Sequence, residues 1–239
     1  MDLIIPLGSE SKSQNDELKI LLRSVDKNAP GITRVILATV CPPEWIQNVE
    51  LVPTEDSLKH NKDGNLIQKV LDSIRRFDIH GGFMFSADDN VFVKPCNVED
   101  IPILYNSHGY DYYKKNPRRW HRRMARTFEF FRERGVEIPH SYECHAPQVF
   151  DADKVLKGME DIDYRSGIGL GIYTAFRAVS GEAGSGIEQG SFKSTHENAD
   201  GAKKPLDRML AGYNDEAFLN GLWERLLELF PEKSRFERP

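Results

Sequence analysis

Residues 83–90 read FMFSADDN, an apolar run that ends in two adjacent carboxylates, Asp88 and Asp89. The run predicts a short buried strand, because the turn signal Gly81-Gly82 precedes it and Asp and Asn follow it. Outwards from this strand, the first 95 residues alternate between strand patterns and helix patterns. We expect an α/β fold in which a mostly parallel sheet is flanked by helices.

The segments before the acidic strand supply this alternation. A buried strand is predicted over 3–7, and a helix with an apolar stripe follows it, with Ser13 as its predicted N-cap. β-branched residues predict a second strand over 32–40, and a short third strand is predicted over 49–52. An amphipathic helix comes next, and Asp63 is its predicted N-cap. Strands separated by helices in this order suit parallel pairing, which needs long crossover connections.

Polar residues stand where two of these strands end, as Gly8-Ser9 and as Asp88-Asp89. Open parallel sheets bind their ligands at the carboxyl ends of the strands. Two adjacent carboxylates at the end of a buried strand repel each other and lose hydration, and a bound divalent cation removes both penalties. Oxygen ligands favour Mg²⁺ or Mn²⁺. The alternative is a solvated turn, where Asp and Asn are common.

The second half of the chain has a less regular pattern. It predicts a helix over 118–134, a strand over 143–150, a short helix over 151–159 and a last helix over 214–230. No repeat or linker divides the sequence, so all 239 residues are predicted to form one domain with a smaller, irregular C-terminal lobe.

A glycine-rich stretch, GIGLG at residues 167–171, invites comparison with dinucleotide-binding loops. It has no preceding strand and lacks the G-x-G-x-x-G spacing. We therefore do not predict a dinucleotide site there.

Positive charge is concentrated in one block. Lys and Arg number 32 and Asp and Glu 37, so the formal net charge is −5. Residues 114–134 hold nine basic and two acidic side chains, which gives this block +7 and leaves −12 for the remainder. The overall charge argues against a uniformly basic nucleic-acid binder. Three interpretations of the block remain open. It could form a solvated helix face, bind phosphate groups, or contact a polyanion such as DNA.

The cysteines and the N-terminus bear on the cellular compartment. Cys41, Cys96 and Cys144 are far apart and form no CxxC pair, so neither disulfides nor a cysteine zinc site is indicated. No apolar run approaches the roughly 20 residues that a membrane-spanning helix needs. The N-terminus lacks the basic and apolar regions of a signal peptide. We expect a cytoplasmic protein, located in the host cytoplasm if a phage encodes it.

The acidic segment and several others are similar to known enzymes. FMFSADDNVFVKP resembles the strand and acidic motif of GT-A-type glycosyltransferases. Stealth-type sugar-phosphate transferases and related phage and bacterial glycosyltransferases have a nucleotide-sugar region that resembles IPLGSESKSQNDELKILLRSVDKNAPGITRVILATVCPPEW followed by KDGNLIQKVLDSI. Their His-x-Pro segment is similar to ECHAPQVFDADKVL, and their Asn-Asp segment and closing Phe-Pro run are similar to NDEAFLNGLWERLLELFPEKSRFE. The order of these segments carries the resemblance.

Two features depart from the pattern of these families. Their N-terminal segment with a Trp and an Asp-Gly-Ser is replaced by the shorter IIPLGSESKS, and the acidic motif is Ala87-Asp88-Asp89 instead of a strict Asp-x-Asp. These departures leave open whether a whole sugar phosphate or only the sugar is transferred.

The resemblance implies a metal-dependent glycosyltransferase with a GT-A-like, Rossmann-like core and a nucleotide sugar as its donor. In such an enzyme Asp88 and Asp89 would coordinate Mg²⁺ or Mn²⁺ on the donor diphosphate, and Asp89 would also act in catalysis. Residues 1–95 would form the half that binds the nucleotide sugar. Residues 96–239 would form the acceptor half, with the basic helix within 114–134 and the C-terminal helix.

The resemblance also implies roles for residues outside the acidic pair. The expected lining of the nucleotide-sugar pocket consists of Gly8, Ser9, Asp63 and Asn65. The arginines expected to neutralise phosphate are Arg119, Arg122 and Arg123. Two residues are expected to approach the reacting centre, His145 and Asp215. Purely structural roles also stay open for two of these residues. Asp63 is equally a simple helix cap, and Asn214 caps the helix that contains Asp215. For His145 the options are a general base, a metal ligand, a phosphate contact or a structural role.

Three functions are compatible with these observations. The leading one is glycosyl transfer, with a hydroxymethylated DNA base as one candidate acceptor. The first alternative is a Stealth-like hexose-1-phosphate transferase that acts on a polysaccharide. The second is a non-catalytic module that binds nucleotides or nucleic acid. The sequence does not predict the oligomeric state.

Overall fold

A five-stranded sheet forms the centre of the computed structural model, which describes residues 1–9, 11–188, 193–194 and 204–239. With strands and helices numbered along the chain, four of its strands run parallel: β1 (Asp2–Pro6), β2 (Arg34–Thr39), β3 (Glu50–Pro53) and β4 (Gly82–Phe85). The edge strand β7 (Gln148–Asp151) is antiparallel to β4. The strand order is β3-β2-β1-β4-β7.

Helices cover both faces of this sheet. Leu3 and Ile5 of β1 pack in one core with α1 (Asp16–Asn28), whereas Ile4 belongs to the core on the opposite face. That second core contains apolar residues of α2 (Lys62–Arg76), α4 (Arg119–Arg132), α5 (Ala152–Met159) and α6 (Ile172–Val179). Successive side chains of a strand point to opposite faces, so a strand covered on both sides is apolar throughout. The predicted α/β fold, a mostly parallel, Rossmann-like sheet flanked by helices, is confirmed.

Smaller elements complete the described chain. A second sheet has the order β5-β10-β9 and consists of β5 (Asn90–Phe92), β9 (Lys193–Ser194) and β10 (Leu210–Tyr213). Two short strands, β6 (Leu104–Tyr105) and β8 (Ile187–Glu188), pair in parallel. The remaining α-helices are α3 (Tyr110–Lys114), α7 (Asp215–Ala217) and α8 (Trp223–Leu229). Among the described residues, no helix is both long and apolar enough to cross a membrane.

Two predicted elements differ from the structure, and one helix was not predicted. The strand expected over 143–150 is confined to β7, because His145 has a φ of 51° and interrupts the extended backbone. The last helix is not continuous over 214–230, since Asn220 and Gly221 have non-helical dihedral angles between α7 and α8. Helix α6 was not predicted, because seven of its eight residues are buried and it has no polar face to reveal a helical period.

The chain order reverses at β1, the position at which an open α/β sheet leaves a crevice between diverging loops. From β1 the chain adds β2 and β3 on one side and then returns to place β4 on the other side of β1. The loops that leave the carboxyl ends of β1 and β4 therefore diverge, which is where open α/β sheets bind ligands. Gly8 and Ser9 follow β1, and Asp88 and Asp89 follow β4.

Candidate active site

The acidic pair lies in the turn between β4 and β5, where Asp88 and Asp89 are both partly buried. Burial raises the pKa of Asp88 to about 7, and the negative charges of Asp89 and Glu17 add to this effect while Lys62 opposes it. The turn thus concentrates negative charge beside the crevice, and a bound cation would relieve it. In the part of the chain that the structure describes, no group of three or more His, Cys, Asp or Glu side chains is arranged to hold a metal ion.

Glu17, in the first turn of α1, is a third carboxylate near the pair that the sequence did not single out. It is 6% exposed, and its Oε2 accepts hydrogen bonds from the hydroxyls of Ser11, at 3.3 Å, and Ser13. The predicted capping by Ser13 is wrong, because α1 begins at Asp16 and has no side-chain cap. The two serines instead tie the β1–α1 loop to Glu17.

An ion pair between Lys69 and Asp56 holds the loop that contains Gly8 and Ser9. Lys69 of α2 is 1% exposed, and its Nζ donates to the carbonyl of Leu7 at 2.8 Å and lies 2.7 Å from Oδ1 of Asp56. Oδ2 of Asp56 accepts from the Ser9 hydroxyl at 3.3 Å. Gly8 faces open space, since a Cβ there would meet no atom within 4 Å. A backbone with that much room beside it can be approached closely by a ligand.

The start of α2 is capped by Asn61, so the prediction that Asp63 is the N-cap is wrong. Oδ1 of Asn61 accepts from the Gly64 amide at 2.8 Å, and its Nδ2 donates to the carbonyl of Tyr164 at 2.8 Å. Asn65 is 8% exposed, and its amide exchanges hydrogen bonds of 3.1 and 3.3 Å with the backbone of Leu58. Asn65 thus holds the preceding loop.

Asp63 forms an ion pair with Arg123 of the basic helix α4, with 2.6 Å between Oδ1 and Nη1. Nε of Arg123 donates to the carbonyl of Ile168 at 2.7 Å, and the residue is only 7% exposed. Arg123 therefore does not lie on a solvated face of the helix, which was one of the three interpretations of the basic block, whereas Arg119 and Arg122 are exposed. Burial raises the pKa of Asp63, and the charges of Arg123, Lys62 and Arg119 oppose this rise.

A second buried carboxyl group, Glu143, lies close to this ion pair. Its Oε1 accepts from the amide of Thr174 at 3.1 Å, in the first turn of α6, and the residue is 6% exposed. Burial raises the pKa of Glu143 to about 8, with a further contribution from the charge of Asp63. Glu143 was not predicted from the sequence, although it lies two positions before His145 in the segment ECHAP.

Replacing Glu143 with Gln is expected to change the pH dependence of stability. A carboxyl group whose pKa is raised in the folded state makes unfolding easier as pH rises from its unfolded pKa, about 4.3, to its folded value. The glutamine side chain of the Glu143→Gln variant keeps the acceptor for Thr174 and has no proton to lose. The variant should match the wild type near pH 4 and exceed it at pH 8 by at least about 1.4 kcal/mol, the equivalent of one pKa unit.

Urea unfolding monitored by circular dichroism between pH 4 and 8 measures this difference. Equal pH slopes in the two proteins would mean that Glu143 is ionised throughout.

His145 is half-buried and is placed by the second sheet. Its carbonyl accepts from the side-chain amide of Asn90 in β5 at 3.0 Å, in the orientation in which that amide also accepts from the backbone of Ala87 at 3.1 Å. A Cβ on Gly212 of β10 would overlap the same carbonyl, so only glycine allows this close approach. The loop of His145 is thereby joined to the residues that directly follow the acidic pair.

Asp215 lies at the exposed rim of the same edge. Asn214 caps α7, as predicted, through a 3.0 Å hydrogen bond from the Ala217 amide to its Oδ1. The Asp215 carboxylate lies 2.9 Å from Nζ of Lys12 in the β1–α1 loop, and the hydrogen bond between them raises the pKa of Lys12. The C-terminal segment thus reaches the loop that leaves β1.

The glycine-rich stretch 167–171 lies in close contact with several elements of the site. A Cβ on Gly169, which has a φ of +77°, would overlap Oδ1 of the cap residue Asn61. A Cβ on Gly171 would lie 2.7 Å from Oε1 of Glu143. Gly167 has the same kind of close contact with the guanidinium of Arg126. These glycines allow α2, α4 and the loop before β7 to meet.

Gly169→Ala is expected to destabilise the fold by about 2–3 kcal/mol, combining a left-handed backbone at a non-glycine residue with displacement of the Asn61 cap. Gly135→Ala is the matched control, because Gly135 has a φ of +76° and nothing within 4 Å of its Cβ position. It should cost only the backbone contribution, about 1 kcal/mol. Chemical denaturation of both variants gives the two values, and equal losses would contradict the role of the Asn61 contact.

Comparisons with known proteins give limited similarity. No protein-family model matches the chain. An exopolysaccharide phosphotransferase of Nocardia farcinica (strain IFM 10152) is 35% identical over 91 residues, which cover 34% of this chain and 18% of that protein. The exopolysaccharide phosphotransferase CpsY of Mycobacterium leprae (strain TN) is 34% identical over 94 residues, which cover 36% of this chain and 17% of that protein. The match thus spans less than a fifth of the length of these curated relatives.

Proposed function

We propose that this chain is a metal-dependent sugar-phosphate transferase with a nucleotide sugar as its donor. The observation that carries the proposal is the acidic turn Asp88-Asp89 at the crevice between β1 and β4. The similarity to proteins named exopolysaccharide phosphotransferases supports sugar-phosphate transfer over simple glycosyl transfer. It also supports a polysaccharide acceptor.

Asp88 and Asp89 fit a hard divalent cation such as Mg²⁺ or Mn²⁺. They offer oxygen ligands, and the cation would offset the burial and repulsion that raise the pKa of Asp88. Two carboxylates without a third ligand in the described chain suit an ion that keeps water molecules and binds substrate phosphates. When bound, such a cation would neutralise the donor diphosphate and stabilise the leaving group.

The arginines of α4 divide into two groups in this proposal. Arg123 forms an ion pair with Asp63 and thereby positions the start of α2. Arg119 and Arg122 are exposed, and Arg119 is close enough to influence the pKa of Asp63. Guanidinium groups bind phosphate oxygens in pairs, so these two arginines are suited to a phosphate of the donor or of the acceptor. Gly8 leaves room for the donor beside the backbone of the β1 loop.

The reaction would exchange the phosphoanhydride bond of the donor for a phosphate ester bond to the acceptor. A hydroxyl of the acceptor attacks the phosphorus atom that carries the sugar, and the bond from that phosphorus to the oxygen of the other phosphate breaks. A nucleoside monophosphate leaves, and the hydroxyl proton passes to a base. We assign this base to His145, whose loop is joined to the acidic turn through Asn90.

Mass spectrometry of the products tests this function directly. The protein is incubated with a panel of nucleotide sugars, polysaccharide fragments and Mg²⁺ or Mn²⁺, with a chelator as control. Release of a nucleoside monophosphate, with phosphate retained between sugar and acceptor, is expected. Release of a nucleoside diphosphate would instead establish glycosyl transfer. Failure to turn over or bind any donor would favour a non-catalytic module.

A DNA acceptor is the second candidate, favoured by the charge of +7 between residues 114 and 134. It predicts DNA binding that weakens steeply with salt and is lost when Arg119 and Arg122 are both replaced with Gln. A hydroxymethylated oligonucleotide added to the product assay would reveal transfer to DNA. Binding that is weak and independent of salt would exclude this acceptor.

A further inference from the structure

Two buried tyrosine hydroxyls lie near the acidic turn. That of Tyr213 has no hydrogen-bond partner among the residues that the structure describes, and that of Tyr173 has only the side chain of Asn90 beside it in this part of the chain. Tyr173 of α6 is 4% exposed and Tyr213 of β10 is 0% exposed. An unpaired buried hydroxyl costs about 1–3 kcal/mol relative to a paired one, so phenylalanine at position 213 would avoid this penalty. An unsatisfied buried donor in a native protein usually has a specific structural or functional explanation.

Both rings are fixed by their neighbours. The Tyr213 ring stacks on Phe218 with 5.3 Å between centroids, and the Tyr213 amide donates to the carbonyl of Asp89 at 3.1 Å. The Tyr173 ring lies 4.7 Å from that of Phe85, the last residue of β4. Neither hydroxyl can therefore move far to find a partner elsewhere, and both elements border the acidic turn.

Negative charge surrounds the two hydroxyls. Burial raises the pKa of Tyr213 well above its usual value, and the carboxylates of Asp89, Glu17 and Asp88 add to this. The pKa of Tyr173 is raised by burial and then by the charges of Glu143 and Asp89, and a hydrogen bond with the side chain of Asn90 opposes the rise. Each phenol offers one O–H donor.

We propose that Tyr173 and Tyr213 are positioning residues for the cation site, and that their hydroxyls donate to oxygen ligands held beside Asp89. This inference rests on the metal-binding part of the proposed function. Hydrogen-bond partners behind the direct ligands orient those ligands, and losing one typically weakens metal affinity about 10–100-fold. The two tyrosines, on α6 and β10, would orient the oxygen ligands, which two carboxylates alone cannot do.

Mn²⁺ binding to the metal-free protein tests this role without any substrate. Isothermal titration and electron paramagnetic resonance give the Mn²⁺ Kd for the wild type, Tyr173→Phe, Tyr213→Phe and the double variant. Each single variant should bind Mn²⁺ at least about 10-fold more weakly. Tyr164→Phe is the matched control, because Tyr164 is also buried but its hydroxyl donates to Gln68 at 2.6 Å. Its Mn²⁺ affinity should not change.

Stability without metal separates positioning from packing. The Tyr213→Phe variant should be as stable as the wild type or more so, because it removes an unpaired donor and keeps the ring. Unchanged Mn²⁺ affinity in both variants, with a clear loss in Asp89→Asn, would overturn the role of the tyrosines alone. A wild type that binds no Mn²⁺ would overturn the cation site and this role together.

Discussion

Replacing Asp89 with asparagine is expected to lower metal-dependent turnover of the donor by about a thousandfold, the range seen when one transition-state contact is lost. Asparagine keeps the size and hydrogen-bonding shape of the side chain but removes the negative charge that would hold the cation. The rest of the turn, including the bond from the Tyr213 amide to the Asp89 carbonyl, does not depend on that charge. Initial rates of nucleotide release at saturating Mg²⁺ measure the effect.

Asp72→Asn is the matched control for this variant. Asp72 lies in the second half of α2, where its Oδ1 accepts from Gln68 at 2.7 Å and its side chain is 40% exposed. The control should turn over the donor at the rate of the wild type. Unchanged metal-dependent turnover in Asp89→Asn would refute the assignment of Asp89, and metal-independent turnover in the wild type would refute the cation itself.

The sheet edge that carries the acidic pair could be predicted because it depends on chain order and polarity alone. Apolar strands such as residues 3–7 and 83–87 alternate with amphipathic helices, and this pattern fixes a parallel sheet. In such a sheet the carboxyl ends of neighbouring strands meet at one edge. The loops with Gly8 and Asp88 therefore face the same crevice, although 80 residues separate them in the chain.

The buried polar contacts could not be predicted, since each depends on partners that are remote in sequence. Arg123 pairs with Asp63, 60 positions away, and Lys69 reaches the carbonyl of Leu7, 62 positions away. The helical period places Arg123 and Lys69 on the polar faces of their helices, which are usually exposed to solvent. Glu143 is likewise buried by contacts with α6, a helix whose apolar sequence gives no period at all.

The Asp63–Arg123 pair leads to the largest expected change in stability. Arg123→Met keeps much of the side-chain length but leaves Asp63 buried beside Glu143 without its closest cation, and it removes the donor to the Ile168 carbonyl. Breaking a buried ion pair by removing one partner costs about 3–5 kcal/mol. Arg122→Met, on the exposed side of the same helix, should change the free energy of unfolding by less than about 0.5 kcal/mol.

A double-mutant cycle identifies the source of this loss. Asp63→Asn combined with Arg123→Met should be less destabilising than the sum of the single changes, with a coupling of about 1–3 kcal/mol, because the double variant buries no unpaired charge. In Arg123→Met the pKa of Asp63 rises further, so the folded state holds its proton to higher pH than the unfolded state. The deficit of that variant should therefore be small near pH 4 and should grow as pH rises. A deficit that is additive and independent of pH would show that packing, and not the charge of Asp63, holds α4 against the start of α2.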